Sequence, residues 1–452
     1  MRFLSELWRR LGGNRSLSSR GDKAEQAPVD PDPTFITAQG GAEIERFVVT
    51  RQAVLDRNMA VVGYEFAQAG GKPSATDEFE HDRILLRYVR SEEARKLVGD
   101  RIAFVTISAK LLFDGMIDEL AGSNTVPLIR PALMHHVDPL QIDRIAALKR
   151  AGVTVGTADG HAVLKDEALA DAVGAVFFSI GEFLPPDLLQ LSRDLSKRHP
   201  ALKLGIRGLE TQEEFDACAR LSFVYFHGPF IRRREEWSPN QASPSALRIC
   251  DLLARLRQGA ELEEIAEQIR LDPMISFRIL RVANSAAIGA TRDITTPREA
   301  CLIIGKDALY RWLALLLCAT APDAPSRQVV LEIALARGRL MELLAAPDAD
   351  AARRQLLFLT GMFSLLDVIL KVPMETLLAQ VKMPPELVEA VVRHGGPCAP
   401  ALELALAGER ADEAAIRELC AKAGIELAAF NRAQADAWAW ASESAQGLQA
   451  PA

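Results

Sequence analysis

The hydrophobic pattern changes period once along this chain. From about Glu43 to Arg234, short apolar runs alternate with amphipathic stretches; from Ser245 onward the apolar positions recur at helical spacing. In the first part, strands are predicted at Glu45–Val54, Val61–Ala67, Ile102–Ile107, Thr125–Ile129, Val153–Thr157, Ala175–Ser179 and Leu202–Ile206, with Val224–Phe226 near the end. Helices are predicted at Asp77–Leu97, Pro139–Ala151, Pro185–Ser196 and Thr211–Leu221. Repeated strand–helix units imply parallel strands covered by helices, with closure into a barrel as one outcome. Between the two patterns, Arg232–Pro244 (RRREEWSPNQASP) is charged and turn-rich and marks the domain boundary.

The helical half is organised around Leu271–Leu317. Asp272 is placed to cap a helix with Pro273 at its first position, and Ile275, Ile279, Val282 and Ala283 form its apolar stripe. Met274, Phe277 and Leu280 widen that stripe, so the helix is expected to be mostly buried. Asn284 and Ser285 end it, Thr295 and Thr296 precede Pro297 at the next helix, and Gly305 separates that helix from Lys306–Cys318. Further helices are predicted at Ser245–Arg257, Leu262–Arg270, Val329–Leu344, Arg353–Leu370, Met374–Gln380 and Pro385–His394, with a final pair within Asp412–Ser442. Gly361 and Ser364, three apart, allow close helix approach.

The amino terminus is different. In MRFLSELWRRL, Phe3, Leu4, Leu7, Trp8 and Leu11 share a helical face beside Arg2, Arg9 and Arg10. Such a segment suits a membrane surface or a partner groove, or packs on its own domain. Residues 12–42 are rich in Gly, Ser, Pro and charge and read as a linker.

Composition narrows the picture. With 452 residues the chain is long enough for two or three domains, and a net charge of −7 argues against a general nucleic-acid-binding surface. Its six cysteines are scattered without a CxxC pair, which predicts reduced thiols and a cytoplasmic location, extended to the inner membrane face if the first eleven residues touch lipid. No apolar run reaches the length of a membrane span.

Two resemblances follow from particular stretches. LDPMISFRILRVANSA, ITTPREACLIIG and the helix carrying Arg311-Trp312-Leu313, with GMFSLLD further on, closely resemble the HDOD domain, an all-helical regulatory module related to metal-dependent HD phosphohydrolases. Past Ser245 the one histidine is His394, with no neighbouring Asp, so no HD-type metal site is expected. In the first half, ERFVVTRQAVLDRNMAVVGYEF, GVTVGTADG and LGIRGLETQEEFDACARLSFVYFHGPF resemble the EAL domain, the barrel that hydrolyses cyclic di-GMP. The order resembles the EAL–HDOD signalling proteins. The implied fold is a TIM-like α/β barrel over 43–234 followed by an all-α HDOD domain over 245–443.

That family's chemistry, as the resemblance implies it, needs two divalent cations held by several carboxylates and an amide at the strand ends. Glu65 keeps the first carboxylate, but Ala69 stands where a phosphate-gripping base belongs and Thr106 where a ligating Asn belongs. Ile129 or Arg130 replaces a Glu, and Ala158-Asp159 replaces an Asp pair. Phe178-Ser179-Ile180 lacks the expected Lys and Asp; Arg207 replaces the first late Glu, Glu210 keeps the second, and His227-Gly228 stands for Gln-Gly. Glu65, Asp159, Glu210 and His227 are therefore vestigial site positions, and Arg130 and Arg207 are candidate anion contacts.

The expectation is a chain without catalysis, metal or cofactor: an adaptor or scaffold that binds other signalling proteins. The alternative is a cyclic di-GMP receptor without hydrolysis; residual phosphodiesterase activity comes third, since it requires those metals. His135-His136 with Asp138 reads as a polar turn, and His161 has no evident partner in the sequence.

Overall fold

The computed structural model describes residues 48–69, 78–130, 137–232, 244–284, 293–319, 327–380, 383–410 and 412–449. The expected amphipathic segment 1–11, the linker 12–42, His135-His136 and Ser285 lie outside them. Eight strands close into a barrel in chain order: β1 (Val48–Leu55), β2 (Val61–Ala69), β3 (Ile102–Ile107), β4 (Thr125–Ile129), β5 (Gly156–Thr157), β6 (Ala175–Ser179), β7 (Lys203–Arg207) and β8 (Tyr225–His227).

One departure from the parallel expectation matters. β1 runs antiparallel to both β2 and β8, while the remaining neighbours are parallel. Its link to β2, Asp56–Ala60, is too short for the crossover a parallel pair requires. The Asp56 carboxylate accepts the Asn58 and Ala60 amides at 2.8 and 2.9 Å, closing a tight turn in which Met59 takes φ 55°. A hairpin supplies no helix to cover its outer face.

Helices coat most of the rest of the barrel. The single helix expected over Asp77–Leu97 is two, α1 (Glu78–Val89) and α2 (Glu92–Val98), because Ser91 caps the second. Two short helices, α3 (Gly160–Lys165) and α4 (Glu167–Ala172), begin at capping aspartates Asp159 and Asp166 and were too short to show a period.

The bare face of β1 and β2 is covered by the second domain, which begins at Pro244 and whose last helix runs to Gln449. Three of its helices meet the barrel there: α5 (Arg327–Leu343), α6 (Ala399–Arg410) and α7 (Leu427–Gln449). α6 was not expected from the sequence. On the buried face of β1, Arg51 donates to Glu332 of α5 at 2.8 Å, and Tyr64 of β2 donates to the same carboxylate oxygen at 2.8 Å. Gln434 of α7 reaches the Val49 carbonyl at 3.3 Å. The apolar core consequently continues from the barrel's helical coat into the second domain without a break.

Within that domain, Asp272, Thr296 and Gly305 end their helices as expected. Asn284 locks the following loop, exchanging hydrogen bonds with the Ile294 backbone at 2.7 Å each way. The helix Pro273–Ala283 is less buried than its apolar content suggested. Ile275, Ile279, Val282 and Ala283 are buried, but Met274 and Phe277 are 58% and 52% exposed. The stretch expected as one helix over Arg353–Leu370 is broken at Ser364 and Leu365.

Candidate functional site

The barrel interior is built in layers. Alternation points Phe104, Leu128, Phe177 and Tyr225 inward, and the rings of Phe104, Phe177 and Tyr225 pack with centroids 5.3 to 5.9 Å apart. Glycine makes this possible: a Cβ on Gly205 would sit 2.5 Å from Phe177, and one on Gly63 would sit 2.9 Å from Phe104. Two residues further along each strand comes the layer at the mouth: Thr106, Arg130, Ser179, Arg207 and His227, with Glu65 beside Phe104 on β2. Of these, Glu65, Ser179, Arg207 and His227 border a cavity of about 560 Å³, together with Thr50, Gln52 and Glu210.

Glu65 is at the centre of this layer. Arg207 Nη2 lies 2.9 Å from Glu65 Oε1, Thr106 Oγ1 donates to that oxygen at 3.1 Å, and His227 Nε2 stands 3.8 Å from Oε2. Arg207 itself lies over the Phe177 ring, 4.6 Å from its centroid. Burial alone would raise the Glu65 carboxyl pKa; Arg207, His227 and Thr106 outweigh burial and hold it below the ordinary carboxylate range. Burial lowers the His227 pKa, and although Glu65 opposes this, Arg207 and Arg232 reinforce it.

Arg130 projects from the end of β4 and is held by the first helix. It donates to Asp82 at 2.6 and 3.2 Å and to Glu78 at 2.5 Å. Burial disfavours its charge, but Asp82 and Glu78 prevail and raise its pKa above the usual value. Asp82 is 2% exposed and also accepts the Ser108 amide at 2.7 Å. Of the two candidate anion contacts, Arg130 is held by two carboxylates and does not line the cavity, whereas Arg207 borders it while paired with Glu65. Sequence reasoning missed Asp82 and Glu78; their spacing, i and i+4 on one helix, was the available signal.

Of the other positions singled out in the sequence, His227 stands beside Glu65, while Asp159 and Glu210 do not join them in a cage. Asp159 is buried as the cap of α3, accepting the Ala162 amide at 2.9 Å. Glu210 is exposed at the cavity edge, where its backbone amide donates to Glu214 at 2.7 Å. His161, without a partner in the sequence reading, stacks on Phe183 at 4.5 Å and stands 3.7 Å from Glu182. Among the described residues no three His, Cys, Asp or Glu side chains are grouped to hold an ion. A divalent cation beside Glu65 would also meet the Arg207 guanidinium. The residues present do not fit the two-metal centre that the resemblance would call for.

Comparison with known proteins places these two domains. Residues 243–364 match the family model of the HDOD domain, so the helical half carries that domain. The cyclic di-GMP phosphodiesterase CdgJ of Vibrio cholerae is 21% identical over 87% of this chain and 92% of its own length. The uncharacterized protein YuxH of Bacillus subtilis is 24% identical over 77% of this chain and 87% of its own.

Similar solved structures are EAL domains. The FimX EAL domain of Xanthomonas citri, in complex with c-di-GMP, is 14% identical over 43% of this chain and 90% of that one, with a TM-score of 0.35. Bacillus subtilis YkuI, in complex with c-di-GMP and calcium, is 15% identical over 42% of this chain and 56% of that one, with a TM-score of 0.34. The chain has the order of domains expected from its sequence, an eight-stranded α/β barrel followed by a helical region that contains the HDOD domain.

Proposed function

We propose that this protein is a non-enzymatic adaptor in cyclic di-GMP signalling, in which the barrel has exchanged its metals for internal ion pairs and the HDOD domain engages other signalling proteins. The observation that carries this reading is the Arg207–Glu65 pair at 2.9 Å, supported by Arg130 on Asp82 and Glu78. Two guanidinium groups neutralise carboxylates at the mouth where hydrolysis would need divalent cations. The name of the relative CdgJ, a cyclic di-GMP phosphodiesterase, supports the signalling class; the substituted positions are the reason for reading this chain as non-enzymatic. No helix among the described residues is long and apolar enough to cross a membrane. In this reading the protein acts in the cytoplasm, and deleting Met1–Leu11 tests whether that segment adds contact with the inner membrane face.

A second reading has its own support. The cavity of about 560 Å³ beside Arg207 has room for a phosphate-bearing ligand, which favours a receptor that binds cyclic di-GMP without cleaving it. Calorimetric titration with cyclic di-GMP in Mg2+ separates the two. The adaptor reading predicts no binding heat. A saturating heat that disappears in Arg207→Ala selects the receptor, and sustained heat flow would mean turnover and overturn both.

A further inference from the structure

A second cavity, of about 260 Å³, lies between the barrel and the HDOD half. Packed protein contacts leave few voids larger than a water molecule, whereas this one has room for roughly nine waters. One wall is apolar and aromatic: Tyr64 from the barrel, Val329 and Ile333 from α5, and Trp438 from α7. The polar side carries Arg51, Arg232 and Arg410 together with the carboxylates Glu332 and Glu409.

The charges around it do not balance among the ion pairs described. Glu332 is paired with Arg51 at 2.8 Å and has Arg101 at 3.8 Å. Glu409 takes Arg337 and Arg232, at 2.8 and 2.7 Å. Four guanidinium groups thus converge on two carboxylates. These side chains are 4%, 17%, 4% and 25% exposed for Arg51, Arg101, Arg337 and Arg232, so solvent screens the excess poorly. Exposed Arg410 adds a further cation at the edge. Buried charge of one sign calls for a counter-charge.

We propose that this interdomain cavity binds a small aromatic carboxylate, its anionic group received on the Arg232 and Arg410 side and its ring against Trp438, Val329 and Ile333. The site is distinct from the barrel mouth but adjoins it, because Gln52 and His227 border both cavities. A ligand there touches β1, β8 and α5 at once and so ties the position of the HDOD half to the wall of the mouth. The proposal stands whether or not the mouth binds a nucleotide.

The test uses the full chain and benzoate as the probe, followed by thermal shift and by ligand-observed NMR. Benzyl alcohol serves as the neutral control and inorganic phosphate as the control without a ring. Benzoate is expected to bind saturably, while neither control does. Arg232→Gln leaves Glu409 paired with Arg337 and is expected to weaken benzoate about tenfold, the loss of one charge-assisted hydrogen bond. Val329→Phe fills the cavity and is expected to abolish binding with the fold retained by circular dichroism. If Val329→Phe does not fold, Arg232→Gln decides alone. No saturable effect of benzoate, an equal effect of either control, or undiminished binding in Arg232→Gln overturns the proposal.

Discussion

The carboxylate of Glu65 meets the guanidinium of Arg207 across the barrel mouth at 2.9 Å, one residue from β2 and one from β7. In a two-metal enzyme both strand ends would supply negative charge. Here one supplies the counter-ion of the other, so the site is electrically closed without a metal. Arg207→Glu reverses this by placing two carboxylates together. The wild-type protein is expected to show no Mn2+-dependent rise in melting temperature, and Arg207→Glu is expected to show one; a Mn2+ shift in the wild type contradicts the account.

Acidification should weaken the same layer from two directions. Glu65 has a folded pKa below its ordinary value of 4.5, so its stabilisation is present above that value and is lost as pH falls through the folded pKa. His227 has a folded pKa below 6.5, so the unfolded chain takes up its proton first and stability starts to fall as pH drops below 6.5. His227→Asn is expected to flatten the upper part of the acid limb in urea titrations, and Glu65→Gln the lower part. Glu65→Gln also leaves the half-buried Arg207 with a neutral partner and is expected to lower stability at neutral pH.

Coupling of the two domains rests on another buried pair. Glu332 of the HDOD half accepts from both Arg51 and Tyr64 of the barrel, and Arg51 lies over the Tyr64 ring at 3.3 Å. Glu332→Ala strands the buried Arg51 and is expected to cost about 4 kcal/mol, whereas Arg51→Met with Glu332→Met should recover most of it. Chemical unfolding followed by barrel and HDOD probes should give one shared transition in the wild type. Separate transitions would mean that the interface does not couple them.

Gly361 tests the packing of the helical half. A Cβ there would lie 2.7 Å from Gly338 Cα, so the helices Ala351–Phe363 and α5 cross in backbone contact. Gly361→Ala is expected to lower stability by about 3 kcal/mol despite its better helix propensity, measured by urea unfolding. A stabilising or neutral effect would show that the crossing relaxes freely.

These relationships differ in how far the sequence discloses them. Strands β3, β4 and β6 begin and end where their apolar runs do, and Asp272, Thr296 and Gly305 punctuate helices as their chemistry requires. Close approach at Gly361 was legible because small residues recur at helical spacing. The Glu65–Arg207 contact was not, although both residues were singled out, since no local pattern tells which strand ends face one another. Arg130 was expected to be available to an anion; its partner Asp82 is 48 positions away and joins it only through barrel closure. The same holds for Arg51 and Glu332, 281 positions apart. Antiparallel β1 was missed because strand candidates were read as repeated units, when the short Asp56–Ala60 link already excluded a crossover.

A barrel mouth without turnover is the central claim of the proposed function. The most direct measurement incubates the purified full-length protein with cyclic di-GMP in Mn2+ and, separately, in Mg2+, and follows the linear dinucleotide by chromatography. The account predicts that the wild type forms no product above a protein-free control in either metal. Metal-dependent product that disappears in Glu65→Gln would contradict it and would mean that the Arg207–Glu65 pair opens to admit a cation.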